Sequence, residues 1–226
     1  MDNKTAVLAG ASGLVGGELL ELLLASPVYG KVVVPVRKML PVRHPKLSQH
    51  VLDFKYLGGF QGGYPCDEVF CCLGTTIKKA GSQEAFRQVD QAYPLELARQ
   101  ALAKGTGRFL IVTAMGADPK SSIFYNRVKG ELEASLASLG FGSLEIFRPS
   151  LLLGDRQETR PGERIGAAIA PLLRPFLMGP LRKYRPIRAG VVAQAMFNAA
   201  QSQAQGVRIH ASDRIEDLAR LELRPG

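Results

Sequence analysis

The residues best suited to chemistry are Thr113, Tyr125 and Lys129. Tyr125 and Lys129 are spaced one helical turn apart, so in a helix their side chains share a face. A phenol with a pKa of about 10 exchanges protons poorly near neutrality, and an adjacent ammonium stabilises its phenolate. Thr113 falls at the end of a predicted strand, where its hydroxyl would hold a carbonyl oxygen. Together the three describe a site that reduces a carbonyl or oxidises an alcohol: Tyr125 moves the proton, and Lys129 also grips a ribose. A tyrosine and a lysine at this spacing are common on exposed helices, so their weight comes from what precedes them.

What precedes them is a glycine loop. Gly10, Ala11, Ser12, Gly13, Leu14, Val15, Gly16 and Gly17 form a GxxGxxG pattern between a strand and a helix. Glycines there permit a tight turn and a close backbone approach to a pyrophosphate, while the helix N-terminus supplies amides and positive dipole. A phosphate-binding P-loop is excluded because no Lys-Ser/Thr follows, and a hydrolase elbow around Ser12 fails because Leu14 stands where a glycine is needed. The bland alternative is a tight turn with no ligand.

The end of the second strand reads Val34, Pro35, Val36, Arg37, Lys38, without the acid that usually meets the ribose hydroxyls of NAD. Two cations suit a 2′-phosphate and hence NADP(H); the same pair also suits a solvated strand end. Asp53 stands where a carboxylate either accepts an adenine amine or caps a helix. Leu73, Gly74 and Thr75 close the fourth strand at the same edge, with Gly74 letting the loop approach the ribose. Cys71 and Cys72 in that strand read as buried small hydrophobes rather than nucleophiles.

These groups need elements to hold them, and the chain supplies alternating β-branched runs and helical patterns, the signature of βαβ units on a doubly wound parallel α/β sheet. Strands are predicted at 5–9, 31–36, 49–53, 68–73, 108–113, 143–147 and 206–211. Helices are predicted at 13–25, 82–104 with a possible break near Pro94, 121–139, 190–202 and 213–221. Residues 1–150 read as a nucleotide-binding layer and 151–226 as a small substrate or lid lobe packed on it, one structural domain overall. The apolar, proline-broken stretch from Ile165 to Leu181 serves as lid, docking face or simple packing.

Composition bounds the rest. With 226 residues, 46% of them hydrophobic, the chain is long enough for one large core. Three cysteines, two adjacent, do not make a disulfide framework, and the expected compartment is the reducing cytoplasm. Three histidines without metal-ligand spacing give no metal site, and charged residues and prolines interrupt every apolar run before it reaches a membrane span. The net charge of +9 is local: seven basic residues and no Asp or Glu lie between 164 and 212, without the interleaved aromatics of a single-strand binder, so no nucleic-acid partner is expected.

The segments GASGLVG, VPVRK, FCCLGTT, VTAMGAD to YNRVKGELE and FRPSLLLGDRQETRPGE resemble the short-chain dehydrogenase/reductases, in their atypical division, and most specifically the HIV Tat-interactive-protein-like oxidoreductases. The resemblance implies a Rossmann fold binding NADPH, with Gly10, Ser12, Gly13, Leu14, Val15 and Gly16 at the pyrophosphate and Arg37 and Lys38 at the 2′-phosphate. It also implies Tyr125 and Lys129 as the catalytic pair, and the turn Arg148, Pro149, Ser150, Leu151, Leu152 beside the nicotinamide. Where relatives carry paired serines this chain has Thr113 and Ala114, and the Asn of fuller catalytic tetrads has no match, with Asp90 or Gln91 near its place. Two functions are open: an NADPH-dependent oxidoreductase of a small carbonyl or alcohol, and an NADPH-sensing module that docks a protein partner with little turnover.

Overall fold

The structure, a computed structural model, describes residues 3–154 and 179–221. The strands are β1 (Lys4–Ala9), β2 (Tyr29–Val36), β3 (Leu47–Val51), β4 (Glu68–Cys71), β5 (Arg108–Val112), β6 (Ser143–Arg148), β7 (Leu152–Leu153), β8 (Ile187–Arg188) and β9 (Gly206–Ala211). The helices are α1 (Leu14–Ala25), α2 (Ile77–Ala80), α3 (Gln83–Arg87), α4 (Tyr93–Ala103), α5 (Phe124–Ala137), α6 (Ala189–Ala200) and α7 (Ser212–Ala219), with a π-helical turn at Gln88–Ala92 and 3-10 turns at Phe54–Gly59 and Gly179–Tyr184. Seven strands form one sheet in the order β3-β2-β1-β4-β5-β6-β9, and every neighbouring pair is parallel. The order reverses between β1 and β4, which opens a crevice at the carboxyl ends of those strands. No described helix is long and apolar enough to cross a membrane.

Because side chains alternate along a strand, the sheet buries a different set on each face. Ala6, Leu8, Val32, Val34, Phe70, Leu110 and Phe147 pack under α1 and α6, against Leu19, Leu23, Val192 and Met196. Val7, Val33, Val69, Phe109, Ile111, Leu144 and Ile146 pack under α4 and α5, against Leu97, Ala101, Leu132 and Leu136. Burying each of the larger side chains contributes about 1.5–3 kcal/mol. Near-continuous apolar strands such as Val32–Val36 are the sequence consequence of covering both faces.

One expectation changes. The helix across 82–104 does not break at Pro94: the backbone stays helical through Ala92 and Tyr93, the π-helical turn Gln88–Ala92 leads straight into α4, and the irregularity is that widened turn. The segment after 150 contributes to the sheet itself: β9 pairs with β6 along its length, and α6 shares the core with α1. The FRPSLLLGDRQETRPGE segment lies outside the described residues from 155 onward. So does most of the apolar stretch from Ile165 to Leu181.

A polar staple fixes β9. Glu145, in the middle of β6 and fully buried, accepts Arg208 Nε at 3.0 Å, pairs also with Arg208 Nη2, and lies 2.6 Å from His210 Nε2. Burial opposes ionisation of Glu145, but the hydrogen bonds from His210 and Arg208 outweigh it and hold its carboxyl below the ordinary 4.5. Its stabilisation is therefore fully present above that ordinary value and is lost as pH falls through the depressed one. Glu145→Gln is expected to lower stability by about 1–3 kcal/mol near neutrality and to flatten the acid limb of stability against pH. Urea denaturation at neutral and acid pH checks this; equal losses at both would show that Glu145 does not carry the acid dependence.

Candidate active site

The glycine loop has a steric reason for its composition. Gly10, directly after β1, has φ +89°, and a Cβ there would lie 2.5 Å from the Cys72 carbonyl oxygen. A Cβ on Gly16 would lie 2.1 Å from the Gly10 carbonyl oxygen, so the first turn of α1 packs directly on the loop. Gly13 donates its N–H to the Gly10 carbonyl at 2.9 Å and stands at the N-cap of α1 with no side-chain cap bond. Ser12 and Gly13 are exposed, Leu14 is half-buried and Val15 is buried. The early amides and positive end of α1 thus face the crevice, an arrangement suited to an anion.

Arg37 and Lys38 follow β2 and are both exposed. Asp53 is engaged as the N-cap of the 3-10 turn Phe54–Gly59: Oδ1 accepts the Lys55 N–H at 3.1 Å and Oδ2 meets Lys55 Nζ at 3.0 Å. Those contacts, the backbone hydrogen bond first, lower its pKa. Of the two roles open to Asp53, the cap is the one its contacts fill. Burial pushes the Cys71 thiol up to about 12 and raises Cys72 as well, so both stay protonated and apolar.

Helix α5 carries the reactive candidates on one stripe. Tyr125, Lys129 and Glu133 succeed one another by a single turn each and meet different elements. The Tyr125 ring is half-buried and leans on Phe86 of α3, centroids 5.4 Å apart. Lys129 is 3% exposed, and its Nζ lies 2.8 Å from Asp90 Oδ1. Burial acts against its charge, but the Asp90 carboxylate and then Tyr125 more than compensate, and the lysine pKa is raised. Leu73 is buried beside them, and a Cβ on Gly74 would come within 3.5 Å of Asp90 Oδ1 and 4.0 Å of Lys129 Nζ. The Thr75 N–H donates to Asp90 Oδ2 at 2.8 Å.

Thr113, just past β5, turns elsewhere. Its hydroxyl donates to Glu133 Oε1 at 2.5 Å, and Glu133 also receives Arg148 Nε at 3.0 Å. The hydroxyl expected to hold a substrate oxygen is therefore engaged inside the protein, tying β5 and the end of β6 to α5. From Arg148 the chain turns over the crevice. The Pro149 carbonyl accepts the Met115 N–H at 2.9 Å, the Ser150 N–H donates to Ser212 Oγ at 2.8 Å, and the Ser150 hydroxyl donates to the Arg185 carbonyl. Leu151 is partly exposed, Leu152 and Leu153 pair with Ile187 and Arg188, and a Cβ on Gly154 would lie 3.0 Å from Leu14. The turn thus comes back over the glycine loop.

Sequence reasoning missed the partners. Glu133 was legible as the next position on the Tyr125–Lys129 face, and Asp90 had no signal beyond its nearness to the unmatched Asn position. Gln91 turns the other way, donating to Glu131 and accepting from Arg87. A polar cavity of about 500 Å3 lies at the opposite, N-terminal edge of the strands, lined by Lys4, Glu68, Arg108 and Ser143 among others, and holds none of these groups.

Rat HTATIP2 (Rattus norvegicus) is 41% identical over 167 residues, which span 72% of this chain and 69% of the rat protein. The chain belongs to the HTATIP2 branch of the atypical short-chain dehydrogenase/reductases. Mitochondrial protein fmp52 of Aspergillus clavatus is 33% identical over 206 residues, 88% of each chain. No family model matches the chain. Among solved structures, MoeE5 in complex with UDP-glucuronic acid and NAD superposes with TM-score 0.70 at 17% identity, covering 91% of this chain and 75% of that one. A UDP-N-acetylglucosamine 4-epimerase from Methanobrevibacter ruminantium M1 gives 0.68 at 17%, covering 93% and 77%. At such identities the likeness establishes the Rossmann-type fold. The cytoplasmic expectation is overturned by the fungal relatives of Aspergillus clavatus, Emericella nidulans and Coccidioides immitis, whose names place them in mitochondria. A reducing interior is shared by more than one compartment, which is why cysteine usage could not discriminate.

The Thr113 contact yields a prediction. Thr113→Val leaves Glu133 with one donor fewer and is expected to reduce stability by about 1.5–3 kcal/mol, with nucleotide affinity unchanged. Thermal melts and nucleotide titration check it; weaker nucleotide binding with unchanged stability would reverse the assignment.

Proposed function

We propose that this chain is an NADPH-binding oxidoreductase that reduces a small carbonyl or oxidises an alcohol. The observation that carries the reading is the presentation of Tyr125 and Lys129 on one face of α5, at the same carboxyl edge of the sheet as the Gly10–Gly16 cradle. The residues fit a nicotinamide dinucleotide: the cradle is glycine where a Cβ would collide, and the α1 N-terminus is free to meet a pyrophosphate. Arg37 and Lys38 suit the 2′-phosphate; Leu73, Gly74 and Thr75 line the ribose side; Arg148 to Leu152 close over the nicotinamide. When bound, the reduced nicotinamide supplies a hydride. Tyr125 gives its phenolic proton to the oxygen that becomes the alcohol, and Lys129 stabilises the resulting phenolate while holding the ribose. MoeE5, solved with NAD, supports a dinucleotide in this fold.

A second reading, an NADPH-responsive module that docks a protein with little turnover, is favoured by one observation: the Thr113 hydroxyl is already taken by Glu133. The two separate by experiment. Tyr125→Phe is expected to leave NADPH affinity nearly intact and to cut turnover by about 10²- to 10⁴-fold, since the proton is needed only in the transition state. Lys129→Ala is expected to harm both. NADPH oxidation is followed with a panel of aldehydes, ketones and quinones; a substrate turned over at the wild-type rate by Tyr125→Phe would remove the catalytic role.

Cofactor choice gives a further test. Charge-assisted hydrogen bonds contribute about 1.5–3 kcal/mol each before solvent screening, and Arg37 and Lys38 are exposed. A preference for NADPH over NADH of about tenfold to a hundredfold is expected, lost in Arg37→Ala with Lys38→Ala and weakened by salt. Calorimetric titration of both nucleotides decides it; equal affinities in the wild type would exclude the 2′-phosphate site.

A further inference from the structure

The carboxyl edge of the sheet, where Tyr125 stands, divides its polar and apolar side chains unevenly. The polar ones that β5 and β6 deliver there are bonded within the protein. Thr113 donates to Glu133 Oε1 at 2.5 Å, Arg148 is paired with Glu133, and the Ser150 hydroxyl donates to the Arg185 carbonyl. On the loop after β4, Thr76 caps α2 by accepting the Lys79 N–H at 3.1 Å. The arginines that flank Phe124, next to Tyr125, are committed as well. Arg87 donates to Glu131 and Gln91, and Arg127 donates to the Ser121 carbonyl at 2.8 Å.

The apolar side chains are the ones left open. Ile77 at the start of α2, Ile123 just before α5 and Leu151 just after β6 are 39%, 60% and 38% exposed. Each of the connections that follow β4, β5 and β6 thus presents a large hydrophobic residue at the edge where ligands meet an open parallel sheet. Beside Tyr125 lies an aromatic pair: Phe86 packs on Tyr125 with ring centroids 5.4 Å apart and on Phe124 at 5.8 Å. Apolar burial is favourable and non-directional, whereas a hydroxyl or carboxylate taken out of water without a new partner is penalised. A ligand at this edge gains by covering carbon.

We propose that the substrate of this site is an uncharged carbonyl compound with an alkyl or aryl chain, held by apolar burial against Ile77, Ile123 and Leu151, and not a sugar or an acid. The proposal deepens the oxidoreductase reading and rests on it for the reaction. The carbonyl carbon takes the hydride supplied by the reduced nicotinamide, and its oxygen takes the Tyr125 proton, which solvent restores. An alcohol and the oxidised nucleotide leave.

Two measurements test this. In the first, NADPH oxidation is followed with the alkanals from propanal to hexanal, and with glyceraldehyde and succinic semialdehyde as the hydroxylated and carboxylated counterparts of propanal and butanal. kcat/KM is expected to rise about fourfold for each methylene, and each polar aldehyde is expected to fall about tenfold or more below its counterpart. In the second, the primary amides from propanamide to hexanamide, which carry the same chains but do not turn over, are titrated by ligand-observed NMR into the protein with and without NADPH. Affinity is expected to climb by the same factor per methylene. Ile77→Ser with Ile123→Ser, two exposed positions outside the proposed cofactor contacts, is expected to cut that factor to about twofold and to leave NADPH affinity unchanged. Polar aldehydes used as well as the alkanals, amide affinities that do not depend on chain length, or a double variant that keeps the wild-type slope each overturn the proposal. Amides that bind with the expected slope while no carbonyl compound is reduced refute the oxidoreductase reading and leave the apolar site standing.

Discussion

The buried ion pair between Lys129 and Asp90 is the constraint to which the rest of the site conforms. Removing two charges from water costs several kcal/mol per ion, and the mutual attraction offsets this only where geometry is good and the remaining lone pairs are satisfied. The Thr75 N–H satisfies Asp90 Oδ2, whereas Oδ1 has the Lys129 ammonium 2.8 Å away and no hydrogen bond of good geometry. Losing one partner from such a pair typically costs about 3–5 kcal/mol, so the pair is maintained by more than its own attraction. It requires the turn at 88–92 that carries Asp90 and a helix held within reach of it, and the chain provides both.

Helix α5 is held at that distance by its own close packing. A Cβ on Gly130 would sit 2.2 Å from the Asp118 carbonyl carbon and the Pro119 nitrogen, so the helix backbone lies directly against the loop after β5. The next turn brings Glu133 to Thr113 and Arg148, fastening the same helix to the ends of β5 and β6. Tyr125, one turn before Lys129, is the member of the stripe left half-buried, with a ring rather than a charge as its neighbour. Lys129 is tied to Asp90, and Glu133 to Thr113 and Arg148, so α5, and Tyr125 with it, is held in one place.

Much of this was legible in the amino-acid sequence, and what was not shares a cause. The glycine loop, the strand alternation and the pairing of Tyr125 with Lys129 are local patterns, each fixed by spacing along the chain. The role of Gly10 and Gly16 could be inferred from their place between strand and helix because the collision they avoid lies mostly within the same loop. Asp90, by contrast, meets a lysine 39 positions away, and nothing in the sequence around either residue announces the other. Thr113 was correctly expected at a strand end, but the carboxylate that takes its hydroxyl lies on another element. Pro94 reads as a break only when its position within the helix is unknown. Polar partnerships across elements are invisible to periodicity, whereas apolar patterns report the sheet directly.

The return of the C-terminal segment to the sheet follows from the same logic of buried charge. Glu145 lies in the middle of β6 with no exposed surface, a poor place for a carboxylate unless polar partners arrive from a neighbouring strand. The Arg208 guanidinium and the His210 ring are those partners, and because residues two apart on a strand share a face, both reach Glu145 only when β9 pairs with β6 in the observed register. A slip of one residue would turn both side chains to the opposite face, toward the apolar side that holds Leu144 and Ile146. Register fixed in this way sets where α7 begins, and Ser212 in its first turn accepts the Ser150 N–H. The turn that closes over the glycine loop is thus positioned by an ion pair on the edge of the sheet, through a strand and a helix start, without any of those residues touching the crevice themselves.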